Sequence, residues 1–229
     1  ILTSIAFGTK VAVDEIYIEG ISNITLADIH AARELGYRIK LLGVAQRTAT
    51  GIEQRVHPTM VPLGSMIGQV DSVTNAVAIE ADTVGSLLLS GPGAGGNATA
   101  SAVIGDIADI AKSQPGRQEA PVFGRPAHEL EPYQRAEISS HAGGYFIRLT
   151  VHDRTGVFAS LAGHMANNGI SLASIVQHGS SKDGSTDTKT VVLVTHETTE
   201  SDISNALEAV LGDGHLVSKP QVIRIEPAG

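Results

Sequence analysis

Ile147-Arg148-Leu149-Thr150-Val151-His152-Asp153-Arg154-Thr155-Gly156-Val157 decides the fold. Apolar Ile147, Leu149 and Val151 alternate with polar Arg148, Thr150 and His152, the period of a strand with one buried face. From Val157 the period changes: Val157, Leu161 and Met165 recur every fourth residue, and Asn167-Asn168-Gly169 supplies a helix stop. Residues 170–178 and 189–196 read as strands joined by a polar loop containing Asp183-Gly184. Thr199 can cap a helix carrying Ile203, Leu207, Val210 and Leu211, and Val222-Ile223-Arg224-Ile225 ends the pattern as a strand. The order βαββαβ is the ferredoxin-like arrangement.

Upstream, Gly and Pro thicken between Ser113 and Gly144, where Pro115, Gly116, Pro121, Gly124, Pro126 and Pro132 interrupt any period. We expect residues 114–143 to link two units, 1–113 and 144–229. In the first, Thr25 precedes helically spaced Leu26, Ile29, Ala32 and Leu35 before Gly36. Residues 38–46 and 55–61 look extended, and residues 75–80 and 84–90 form a strand pair around Ala81-Asp82-Thr83. The expected class is α+β, a mixed sheet with flanking helices followed by the ferredoxin-like unit. At 229 residues and roughly 150 residues per domain, one large unit and one small one are expected.

Composition narrows function. The apolar fraction of 42% supports a core, and the charged fraction of 17% lies below the roughly 25% of ordinary soluble chains, which implies large interior or subunit-facing surfaces. A formal charge of −8 is the wrong sign for neutralising nucleic-acid phosphates. With no cysteine, disulfides, thiolate metal sites and thiol nucleophiles are excluded, and a reducing, cytoplasmic setting is expected. No apolar run approaches the roughly 20 residues of a membrane span. Ile1-Leu2-Thr3-Ser4-Ile5-Ala6-Phe7 reads as the inside of an apolar helix, so we expect the C-terminal part of something longer.

Gly91-Pro92-Gly93-Ala94-Gly95-Gly96 satisfies G-x-G-x-x-G between a strand and the helical run 98–112. A Rossmann fingerprint opens a βαβ unit with an acidic residue some 20 positions on, whereas this helix enters the Pro-rich stretch, so the Rossmann reading is rejected. Two readings remain: side-chain-free backbone that lets an anionic group or cofactor approach a helix N-terminus, or a tight structural turn. The 9 histidines include no i, i+4 pair on one helix and no H-E-x-x-H, so no metal site is expected. Neither G-x-S-x-G nor a Walker A lysine occurs. Lys10, Asp14, Glu15 and Glu19 are read as a solvated edge rather than a catalytic group. Asp153 and Gly156 sit where a strand meets a helix, with exposed helix N–H groups in reach of a ligand, and Gln177 offers both a donor and an acceptor; a plain loop and an idle strand glutamine are the competing readings.

Taken together, residues 1–8, Glu19-Gly20-Ile21, Asp28-Ile29, Glu34-Leu35-Gly36-Tyr37, Ile39-Lys40-Leu41-Leu42 and above all 91–95 continuing through 99–103 and Asp106 resemble bacterial homoserine dehydrogenases, in that family's order. From Gly144 onward the chain resembles an ACT domain, an amino-acid-sensing module. The resemblance implies NAD(P)-dependent interconversion of L-homoserine and L-aspartate 4-semialdehyde on the route to threonine, methionine and isoleucine, in a homo-oligomer, dimer or tetramer. It places Gly93, Ala94 and Gly95 beside the cofactor. It implies no catalytic residue here, because the family's proton-transferring Lys and Rossmann domain precede the stretch matching Ile1. It makes threonine the first candidate effector, bound between ACT domains of two subunits near Asp153, Gly156 and Gln177. The module departs from the family pattern at Thr155-Gly156, where Pro-Gly is common, and at Ser171-Leu172, where Asn-Ile is common. The alternative is a non-catalytic ACT-type amino-acid-binding regulatory protein; a structural dimerisation module is compatible with either.

Overall fold

The structure, a computed structural model, describes residues 1–112, 126–136, 142–178 and 188–226. Most of the expected linker and the Asp183-Gly184 loop lie outside them. The chain forms two compact units: Ile1–Glu15 with Gly64–Gln134, and Ile16–Leu63 with Arg135–Pro227.

The second unit is built on an eight-stranded sheet. Its strands are β1 (Tyr17–Ile18), β2 (Tyr37–Arg47), β3 (Ile52–Pro62), β6 (Ala142–His152), β7 (Leu172–His178), β8 (Thr188–Thr195), β9 (Thr198–Thr199) and β10 (Gln221–Ile225). β10, β6, β8 and β7 lie side by side, each neighbouring pair antiparallel. With α4 (Val157–Asn167) and α5 (Glu200–Gly212) they complete the expected ferredoxin-like βαββαβ. The sheet does not stop at β10. β3 runs parallel to β10 through Thr59↔Arg224 and Met60↔Ile225 and parallel to β1 through Tyr17↔Arg55, while β2 pairs antiparallel along its whole other edge. Strands from both halves of the sequence thus share one sheet, which adjacency in sequence does not reveal.

Alternation decides what each face buries. Tyr145, Ile147, Leu149 and Val151 of β6, with Val191 and Leu193 of β8, pack against Val157, Leu161 and Met165 of α4 and Ile203, Ala206 and Val210 of α5. On the opposite face Phe146, Val192, Val194, Ile223 and Met60 are covered by Ala31 and Ala32 of α2 (Leu26–Glu34). Thr25 caps α2 in a capping box with Asp28. α4 and α5 are tied at Asp213, whose carboxylate accepts from Ser160 Oγ and lies 2.8 Å from His164 Nε2; these bonds, Ser160's first, hold it below the usual carboxylate range.

The first unit has α1 (Leu2–Phe7), the antiparallel hairpin β4 (Thr74–Ala81) and β5 (Gly85–Pro92), and α3 (Gly96–Lys112). Neither hydrophobic cluster contains any of its described residues. Its apolar side chains stand open, Val103, Ile104, Ile107 and Ile110 on α3 and Leu87 and Leu89 on β5 among them. No helix among the described residues is long and apolar enough to cross a membrane.

Candidate functional site

The glycine-rich turn joins β5 to α3. β5 belongs to a two-stranded antiparallel hairpin, not to a parallel βαβ unit, in agreement with the rejection of a Rossmann fingerprint here. Two of its glycines have separate causes. Gly93 donates its N–H to Val73 O at 3.2 Å, and a Cβ there would run into the Asn75 side chain. Gly95 has φ +120° with open space around it, backbone that a side chain strains. Gly95 O accepts from Thr99 N at 3.0 Å, so the helix begins at once and its first N–H groups are left for an external partner. Gly93, Ala94 and Gly95 therefore sit together on one bare turn, a shape that fits close approach by a phosphate-bearing group.

The three residues expected near an effector all lie in the second unit. Gly156, at φ 91°, precedes α4, whose Val157 N–H donates to Arg154 O and which no side chain among the described residues caps, so N–H groups after Val157 in its first turn are left available. Asp153, in the same β6–α4 connection, is paired with Lys189 of β8, Nζ to Oδ2 2.8 Å. Gln177 is exposed on β7 opposite Val191 and so projects on the α4 side of the sheet. Lys189 was not singled out by its sequence context; only pairing of Val151 with Lys189 brings it to the end of β6.

A second constellation was invisible in the sequence. Glu53, Arg55, His57 and Thr59 alternate along β3 as a solvated strand face would, yet all four are buried. Arg55 donates through Nε to His57 Nε2 at 2.8 Å, through Nη2 to Glu226 at 2.6 Å, and through Nη1 to Glu53. His57 Nδ1 lies 3.0 Å from Pro58 O and from Thr59 Oγ1. Burial, with Arg224 and Arg55 nearby, holds His57 below the ordinary imidazole range although the Pro58 bond opposes it. Next to this row Arg224 binds Glu200 and Glu19 and lies over the Tyr17 ring at 5.3 Å. Tyr145, 1% exposed, has a hydroxyl without a hydrogen-bond partner among the described residues, and burial pushes it up to about 12. Arg55, His57 and Arg224 are thus held by neighbouring side chains rather than turned to solvent. Lys10, Asp14 and Glu15 are exposed, while Glu19 belongs to the Arg224 cluster. Among the described residues no His, Asp and Glu cluster could hold a metal.

Two stretches of the chain match known families. Residues 1–108 match the homoserine dehydrogenase family and residues 145–212 the ACT domain. Homoserine dehydrogenase of Pseudomonas aeruginosa is 40% identical over 233 aligned residues, 99% of this chain and 52% of the relative. That of Corynebacterium glutamicum is 37% identical over 99% of this chain and 50% of its own length. The crystal structure of a homoserine dehydrogenase from Thiobacillus denitrificans superposes with TM-score 0.87 at 35% identity, covering all of this chain and 51% of that one. The S. aureus enzyme at pH 7.0, 22% identical with TM-score 0.64 over 99% of this chain and 51% of its own, shares the fold. The chain spans about half the length of the curated relatives it matches. By its two matched regions and their order, the chain belongs to the homoserine dehydrogenase family and corresponds to that family's C-terminal region, part of the catalytic domain followed by an ACT domain.

Proposed function

We propose that this chain serves an NAD(P)-dependent homoserine dehydrogenase that interconverts L-homoserine and L-aspartate 4-semialdehyde for threonine, methionine and isoleucine synthesis. The observation that carries the reading is the co-occurrence, in family order and over nearly the whole chain, of the bare Gly93-Ala94-Gly95 turn at the head of α3 and the ACT fold. Bound nicotinamide cofactor supplies the hydride acceptor and donor. The chain's own part is positional: Gly93 and Gly95 keep side chains out of the way, and the first N–H groups of α3 face whatever anionic part of the cofactor meets the turn. The residues are divided as 1–113, part of the substrate and dimerisation region, 114–143, a linker, and 144–229, the regulatory domain of a cytoplasmic homo-oligomer.

The ACT unit is the sensor. Threonine binds between ACT domains of two subunits at Asp153, Gly156 and Gln177, and favours one subunit arrangement over another. The test has two arms. The 229-residue chain by itself is expected to form no NAD(P)H from homoserine, and turnover by the purified chain would overturn that division of labour. Calorimetry of the same chain is expected to show saturable threonine binding that Gln177→Ala removes; silence towards threonine from folded oligomer would overturn the effector assignment.

A further inference from the structure

An α-amino acid carries an ammonium and a carboxylate on neighbouring atoms, so a site that recognises it needs an anion and a cation, or equivalent dipoles, side by side. Asp153, Gly156 and Gln177 supply one anion, helix N–H groups and an amide, but no full positive charge. The structure places one there. Lys189 Nζ is 2.8 Å from Asp153 Oδ2, and both side chains remain partly open, 30% and 40% exposed. Lys189 sits on β8 opposite Val151, two residues from Val191, which pairs with Gln177. Alternation puts Lys189, Val191 and Gln177 on the same side of the sheet, the side that α4 covers.

We propose that Lys189 is the carboxylate-binding residue of the effector site, with Asp153 taking the ammonium; this rests on the reading of the ACT unit as an amino-acid sensor. Without ligand the two side chains neutralise each other. An ion pair this exposed adds little to stability, so opening it costs little. A zwitterion laid antiparallel against the pair gives each charge a new opposite neighbour, and the four charges alternate in a closed cycle. Neither an uncharged alcohol nor a simple amine closes that cycle. The pair therefore selects for the zwitterionic backbone of an amino acid, leaving Gln177 and neighbouring surface to discriminate among side chains.

The test titrates the 229-residue chain with L-threonine and with L-threonine amide, which keeps the ammonium and lacks the carboxylate. The parent is expected to bind threonine at least about tenfold more tightly than the amide, the scale of one charge-assisted contact. Lys189→Met is expected to abolish the preference for threonine over its amide without weakening amide binding, and Lys189→Arg to recover most of that preference. Circular dichroism and Tm confirm that each variant is folded. If the parent binds threonine and Lys189→Met binds it equally well, or loses threonine and amide alike, Lys189 does not hold the carboxylate and this inference falls alone. If the parent binds neither ligand, the sensor reading falls and takes this inference with it.

Discussion

Arg55 Nε–H points at His57 Nε2, 2.8 Å away, in the buried row of β3. Because the guanidinium nitrogen can only donate, His57 must present a lone pair there, which fixes the neutral Nδ1–H tautomer facing Pro58 O and Thr59 Oγ1. A second proton on this ring would set N–H against N–H. The strand is thus organised around an imidazole that stays uncharged.

A dependence on pH follows with a definite sign. The folded-state pKa of His57 lies below the ordinary value of 6.5, so as pH falls below about 6.5 the unfolded chain takes up a proton that the folded chain refuses. This contribution to stability is complete above that pH and is lost progressively down to the lower folded pKa. His57→Gln, which can still accept from Arg55, is expected to lose less Tm between pH 7.5 and 5.5 than the parent. Equal acid slopes for the two proteins would refute the assignment.

Tyr145 behaves in the opposite sense along the alkaline limb. Its hydroxyl is buried without a hydrogen-bond partner among the described residues, an arrangement that costs roughly 1–3 kcal/mol relative to a satisfied group. Tyr145→Phe keeps the ring packed beside Ile147 and is expected to raise stability at pH 7 by about 1 kcal/mol. The phenol is pushed up to about 12 from 10, so the unfolded chain ionises first and the parent loses stability between those values. Denaturant melts at pH 7 and pH 10.5 check both points; a destabilised phenylalanine variant at pH 7 would show that the hydroxyl is satisfied after all.

Much of the local structure is written in periodicity, and much of the assembly is not. The alternation at Ile147, Leu149 and Val151 and the four-residue spacing of Val157, Leu161 and Met165 match β6 and α4, and Thr199 does cap α5. What period cannot convey is partnership. Nothing near Thr59 announces Arg224 as its neighbour, because the pairing of β3 with β10 joins positions separated by most of the chain. The same limit hid the polar row: Glu53, Arg55, His57 and Thr59 have the alternation of a wetted face, yet they are buried and bonded to one another and to Glu226. Lys189 likewise gains its meaning from Asp153, reached only across the sheet.

An ion pair ties α2 to the sheet beside the apolar contact of Ala31 and Ala32. Asp28 is completely buried and accepts from Arg148 through Nε at 2.5 Å and Nη2 at 3.1 Å, while Thr25 donates to it from both N and Oγ1. Removing the cation alone leaves a carboxylate without its counter-charge beneath α2. Arg148→Met is expected to cost about 3 kcal/mol, and Asp28→Asn in the same chain to return a substantial part of it. A double-mutant cycle by urea denaturation measures the coupling, and additive losses would show that the pair does not hold the helix.

The two glycines of the β5–α3 turn are expected to fail in different ways. At Gly95 the obstacle is backbone conformation, so Gly95→Ala is expected to cost about 1–2 kcal/mol wherever the neighbours stand. At Gly93 the obstacle is Asn75, so Gly93→Ala is expected to be rescued by Asn75→Ala, which clears the space a methyl needs. Rescue restores folding but not bareness: a full-length homoserine dehydrogenase carrying both substitutions is expected to regain its Tm and still bind NAD(P) more weakly than the parent. Steady-state kinetics with cofactor as the varied ligand, alongside thermal melts, separate the two effects. Full recovery of cofactor affinity would mean that Gly93 is present only to make room for Asn75 and that the turn approaches the cofactor elsewhere.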